Sequence, residues 1–153
     1  MSPRKWVALG SFVLALSVAA AGPGVKVQFV GGTISGVSPK SGVRLDLTGA
    51  ENLHVQCGAS AMQIPYQRIN TLEYGQNVSR RYAEAVLLSP VFLLAKSHKH
   101  FVTIGFLDAE GKQQALVVRV DKGDIRSVLT GLETRTGRRV EYQDQEARKA
   151  GKG

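Results

Sequence analysis

The stretch from Lys99 to Gly137 constrains the fold most, because several independent local patterns agree there. Residues 100–106 and 114–120 are rich in β-branched and aromatic side chains, which favours two strands. Asp108-Ala109-Glu110-Gly111 lies between them and predicts a turn, since glycine adopts positive φ easily. Gly137 lies where a helix C-cap belongs, and the apolar residues before it recur with the spacing of one helical face. These residues are Ile125, Val128, Leu129 and Leu132. The stretch predicts a β-hairpin followed by an amphipathic helix over residues 123–136.

Short alternating segments between Val25 and Tyr74 predict five or six further strands. The clearest alternation of apolar and polar residues lies at 43–48. We interpret residues 25–30 as an edge strand that Gly31-Gly32 interrupts, and Thr33-Ile34-Ser35 can continue it after a bend or bulge. Pro65 restricts its own strand to an edge or an end. Because helices do not alternate with these strands, we expect a mainly β fold with one C-terminal helix. Its architecture would be an antiparallel bent sandwich or a partly open barrel.

The N-terminal residues have the composition of an export signal. Arg4 and Lys5 precede a largely apolar stretch that ends in Ala19-Ala20-Ala21. This order predicts a signal peptide over 1–21 and a periplasmic or secreted protein. An uncleaved segment holding the protein at the inner membrane is the alternative, although the apolar run of about 16 residues is short for a bilayer span. We expect a single domain over 22–142 and a flexible polar tail over 143–153.

Within an insert at 80–97, residues 85–88 and 91–95 are apolar on all sides, and cations flank them. Such a segment requires burial on every face, either in protein or in lipid. One interpretation is a kinked helix or loop that plugs the open end of a barrel. The other is a peripheral contact of residues 85–95 with an anionic membrane. The insert and its flanks supply the candidate binding residues Arg80, Arg81, Leu87, Leu88, Phe92, Leu93, Lys96 and Lys99.

The sequence contains no recognisable catalytic or metal-binding pattern, and we expect no cofactor. A single cysteine, Cys57, excludes an intrachain disulfide framework. We expect Cys57 to be buried as a small hydrophobic residue, on the face of its strand opposite His54. His98-Lys99-His100 lacks a nearby carboxylate that could complete a metal site. The three histidines are the available bases for an exported hydrolase, which remains an alternative function.

The net charge of +8 is compatible with nucleic-acid or membrane binding. Arg135, Arg138 and Arg139 gather at the end of the predicted helix, where cations complement the helix dipole without any ligand. We place Arg126 and Glu133 on the solvent side of that helix. Predicted export and the lack of a base-stacking aromatic cluster argue against nucleic-acid binding.

The order of elements resembles bacterial pleckstrin-homology-like domains over residues 43–142. The stretch Ile64-Pro65-Tyr66-Gln67-Arg68-Ile69 leads into Leu72-Glu73-Tyr74, and a hairpin and one helix follow. That helix ends in Leu132-Glu133-Thr134-Arg135-Thr136-Gly137, and Val140-Glu141-Tyr142 follows. The resemblance implies a seven-stranded bent sandwich capped at one end by the helix, in an exported bacterial protein. Such domains bind lipids, peptides or proteins and are not enzymes, but no ligand-binding residue can be transferred.

From these patterns we expect a non-catalytic binding or scaffolding module of the bacterial cell envelope, with a protein or lipid partner that the sequence does not identify. A membrane-associated protein that uses the apolar and basic segment at 80–100 is the first alternative. The exported hydrolase is the second.

Overall fold

The computed structural model describes residues 23–34, 37–38, 41–76, 99–143 and 145–152. The strands before residue 77 are β1 (Val25–Gly32), β2 (Gly42–Asp46), β3 (Asn52–Cys57), β4 (Ser60–Pro65) and β5 (Ile69–Gly75), with a 3-10 turn at Tyr66–Arg68. The later elements are β6 (His100–Leu107), β7 (Gln113–Val120), helix α1 (Ile125–Thr136), β8 (Glu141–Tyr142) and helix α2 (Gln145–Lys152). The predicted insert at 80–97 lies outside the described residues.

The strands form one eight-stranded sheet in the order β4-β3-β2-β1-β7-β6-β5-β8. All neighbouring strands are antiparallel except β5 and β8, which are parallel. The sheet is not closed, since β4 and β8 form its two edges in the described part of the chain. A mainly β fold with a helix near the C-terminus is therefore confirmed.

The predicted hairpin and helix are both present. β6 and β7 pair from His100↔Val120 to Leu107↔Gln113, and Gly111 between them has φ 78°. The Asp108 carboxylate accepts hydrogen bonds from the side chain of Gln114 and from backbone N–H groups of the turn, which lowers its pKa. The apolar face of α1 is buried in the core as its spacing predicted.

The prediction that residues 25–30 form an edge strand is wrong. β1 lies inside the sheet, between β2 and β7, with Val27 opposite Val43 and Phe29 opposite Val118. The strand continues through Gly32 after a bulge between Phe29 and Gly31. A Cβ atom at Gly32 would lie 2.6 Å from the carbonyl oxygen of Ala115. Gly32, the last residue of β1, therefore permits close approach of two backbones.

Other local predictions agree more closely with the structure. Pro65 is the last residue of β4, which is an edge strand. Cys57 is half-buried and packs against the core, and burial raises the pKa of its thiol. At the opposite edge, β8 pairs with β5 and was not among the strands predicted above.

The polar C-terminal segment differs from the predicted flexible tail, because residues 145–152 form α2. Ala147 is fully buried in the hydrophobic core, and α2 lies near α1, β5 and β8. Among the described side chains of α2, Ala147 is the buried one, and it packs the helix against the core.

Candidate functional site

A cleft of about 600 Å³ lies between α1, the segment 137–140, β8 and α2. Its lining is dominated by arginine side chains, and we call it the arginine cleft. The residues that line it are Arg126, Leu129, Thr130, Glu133, Gly137, Arg138, Arg139, Val140, Tyr142 and Arg148.

The cleft follows α1 over most of its length. Arg126 lies in the first turn, and the lining residues that follow recur every three or four positions along one face of the helix. Gly137 is the C-cap residue, eleven positions after Arg126. At 1.5 Å per residue, the helix side of the cleft is about 16 Å long.

The backbone that carries Arg138 and Arg139 is fixed by hydrogen bonds to α1. Gly137 has φ 68°, which turns the chain out of the helix, and its N–H donates to the carbonyl of Glu133 at 2.9 Å. The Val140 N–H donates to Oε1 of Glu133 at 2.8 Å. The two arginines between these anchors therefore extend from a defined turn at the end of the helix.

The cleft carries a strong excess of positive charge. Four arginines line it, whereas Glu133 is the single carboxylate among its described lining residues. The Glu133 side chain already accepts the Val140 N–H, so its charge also serves to hold the backbone. The arrangement favours an anionic ligand, because guanidinium groups bind carboxylate and phosphate oxygens with paired hydrogen bonds.

Apolar and aromatic groups form the remaining lining of the cleft. Leu129 and Val140 are buried beneath it, and Tyr142 is half-buried. Burial raises the pKa of Tyr142, Glu133 raises it further, and Arg148 opposes them. The phenol is therefore neutral near pH 7. A ligand would meet cations beside the half-buried ring of Tyr142.

A second polar cluster lies at the start of β6. The Tyr74 hydroxyl and Nδ1 of His100 share a hydrogen bond of 2.5 Å. The two rings are nearly parallel, and their centroids lie 5.9 Å apart. Burial lowers the pKa of His100, and the charge of Lys122 lowers it further. The Tyr74 ring also meets that of Tyr142 edge-on. His100 is thus engaged with a buried tyrosine, and within the described residues no group of three His, Cys, Asp or Glu could hold a metal ion.

Of the binding residues predicted from sequence, only Lys99 belongs to the described part of the chain. It is half-buried immediately before β6 and does not line the arginine cleft. The other predicted binding residues, Arg80, Arg81, Leu87, Leu88, Phe92, Leu93 and Lys96, lie outside it.

Sequence reasoning did not identify the cleft. It attributed Arg138 and Arg139 to the helix dipole and placed Arg126 in solvent. The number of arginines after position 125 was a signal, but the cleft also includes Arg148, which α2 supplies.

No protein-family model matches this sequence, and no curated protein matches it. Among the described residues, no helix is both long enough and apolar enough to cross a bilayer.

Proposed function

We propose that this chain is a non-catalytic binding module that binds an anionic partner in the arginine cleft. The observation that carries the proposal is the convergence of four arginines and one carboxylate on a cleft of about 600 Å³. Net positive charge of this density attracts anions and accelerates their encounter. None of the described residues that line the cleft is a histidine or a cysteine, which favours binding over nucleophilic chemistry.

We further propose that the fold is pleckstrin-homology-like. The order of β1 to β7 in the sheet, with β1 beside β7 and a helix directly after β7, supports this resemblance. The strand β8 and the helix α2 are additions to the seven-stranded pattern, and both line the cleft. Because a fold does not specify a ligand, the proposal of anion binding depends on the arginines and not on the resemblance.

The cell envelope is the proposed location. The charged and then apolar sequence of residues 1–21 supports export, with cleavage after Ala21. Mass spectrometry of the protein from a bacterial host tests this proposal. We expect a mature chain that begins at Gly22, whereas recovery of an intact chain that begins at Met1 would favour the membrane-held alternative.

The binding proposal is tested by calorimetric titration of the full chain with pyrophosphate. Changing both Arg138 and Arg139 to glutamate should weaken binding by about tenfold or more, because two ion pairs are replaced by repulsion. The matched control changes Arg68 and Lys112 to glutamate, which alters the net charge equally at exposed positions outside the cleft. Equal weakening in both variants would show that pyrophosphate binding depends on the net charge of the protein and not on the cleft.

A further inference from the structure

We infer that the arginine cleft binds an extended acidic peptide segment of a partner protein, about five residues long. This inference rests on the proposed function of the cleft as an anion site and identifies the kind of anion. Three properties of the cleft support it: its length, the distribution of its charges and its floor.

The length favours an extended polymer over a compact anion. The helix side of the cleft runs from Arg126 to Gly137, about 16 Å along the axis of α1. An extended polypeptide rises about 3.3 Å per residue, so about five residues span this distance. A single phosphate or carboxylate group would contact only one end.

The charges are distributed along the same length. Arg126 lies at the first turn of α1, whereas Arg138 and Arg139 follow its last turn. Arg148 adds a cation from α2 to the lining of the cleft. Repeated carboxylates on one backbone can reach cations at both ends together, which a ligand with one charged group cannot do.

The floor suits a polypeptide between these charges. Leu129 and Val140 are buried under the cleft, the Tyr142 ring is half-buried, and Thr130 is exposed with a hydroxyl that can donate or accept a hydrogen bond. Peptide groups carry both donors and acceptors, so they complement such a lining. Acidic residues at each end of the segment would then pair with the guanidinium groups.

Fluorescence anisotropy of the full chain with labelled hexaglutamate tests the inference. Hexaglutamate should bind about tenfold tighter than diglutamate, because only the longer peptide reaches both ends of the cleft. Hexaglutamine and hexalysine should not bind measurably. Arg126→Glu should weaken hexaglutamate binding, and so should changing Arg138 and Arg139 to glutamate, whereas the control pair at Arg68 and Lys112 should retain affinity.

The outcomes separate this inference from the proposed function. If pyrophosphate or phosphatidylglycerol vesicles bind through Arg138 and Arg139 but hexaglutamate does not, the anion site stands and the peptide inference is wrong. Equal affinity for diglutamate and hexaglutamate also overturns the inference, since it would mean that binding does not require a peptide as long as the cleft. If none of these anions binds, both the inference and the proposed function are wrong.

Discussion

Two buried tyrosines differ in whether their hydroxyl groups have partners. Tyr66 is 3% exposed, and its hydroxyl has no hydrogen-bond partner in the described part of the chain. Tyr74 is also buried, but its hydroxyl bonds to His100. Leaving a buried polar group unsatisfied costs about 1–3 kcal/mol, whereas a satisfied one contributes about 1 kcal/mol.

The two tyrosines should therefore respond in opposite directions to removal of the hydroxyl. Tyr66→Phe should raise the free energy of unfolding by about 1 kcal/mol, and Tyr74→Phe should lower it by a similar amount. Urea denaturation followed by circular dichroism measures both. Loss of stability in Tyr66→Phe would mean that this hydroxyl has a partner in the folded protein.

His100 should make stability depend on pH. Because burial lowers its pKa below the ordinary value of 6.5, the unfolded chain binds the proton more readily than the folded protein does. Stability contributed by the neutral ring is fully present above pH 6.5. It falls as the pH drops from there toward the lower pKa of the folded protein.

The test compares the wild type with His100→Gln in thermal unfolding between about pH 8 and pH 5. Below about pH 6.5, the melting temperature of the variant should decline less than that of the wild type. His54→Gln, on β3, serves as a control for removal of a histidine elsewhere. An identical decline in wild type and His100→Gln would exclude His100 as a source of the pH dependence.

At the scale of elements, α1 ends where Gly137 adopts φ 68°. No atom would meet a Cβ at this position within 4 Å in the described part of the chain, so substitution carries only the conformational cost of the left-handed backbone. Gly137→Ala should lower the free energy of unfolding by about 1 kcal/mol.

Gly123 provides the matched control for that substitution. It lies before α1, also has open space around it among the described residues, and has no positive φ of this kind. Gly123→Ala should leave stability unchanged or raise it by up to about 1 kcal/mol, because it restricts the unfolded chain. Equal losses in the two variants, measured by urea denaturation, would contradict a specific role for Gly137 in ending the helix.

Elements were predictable where their determinants are local. The hairpin and α1 depend on a turn, an apolar period and a C-cap glycine, all within one continuous stretch. β1 was placed wrongly because its second partner is β7, as in the pair Phe29↔Val118, far along the chain. The alternation in β1 reports one buried face, but it does not report how many neighbours pair with its backbone.

The cleft required information that no local pattern holds. Its arginines come from α1, the following turn and α2, which are separate segments of the sequence. Whether Arg148 joins the other three depends on how α2 packs, and Ala147 is buried there. Composition indicated a flexible tail because a single apolar contact leaves almost no periodic signal.

For the whole molecule, the sheet and α1 form the core, whereas α2 is a peripheral element that completes the cleft. The buried core residues that the structure describes lie between Val27 and Val140, apart from Ala147 on α2. Stability and binding should therefore be separable. A change that detaches α2 would leave the sheet folded but remove Arg148 from the wall of the cleft.

Ala147→Glu should detach α2, because the position is fully buried and a carboxylate there would lose its hydration. We expect a loss of about 1 kcal/mol in stability, a retained cooperative unfolding transition, and hexaglutamate affinity reduced to that of Arg148→Ala. Lys149→Ala, exposed on the same helix, lowers the net charge equally and should have a smaller effect on both quantities. Global unfolding of Ala147→Glu would make α2 part of the core, and unchanged hexaglutamate affinity would remove α2 from the binding site.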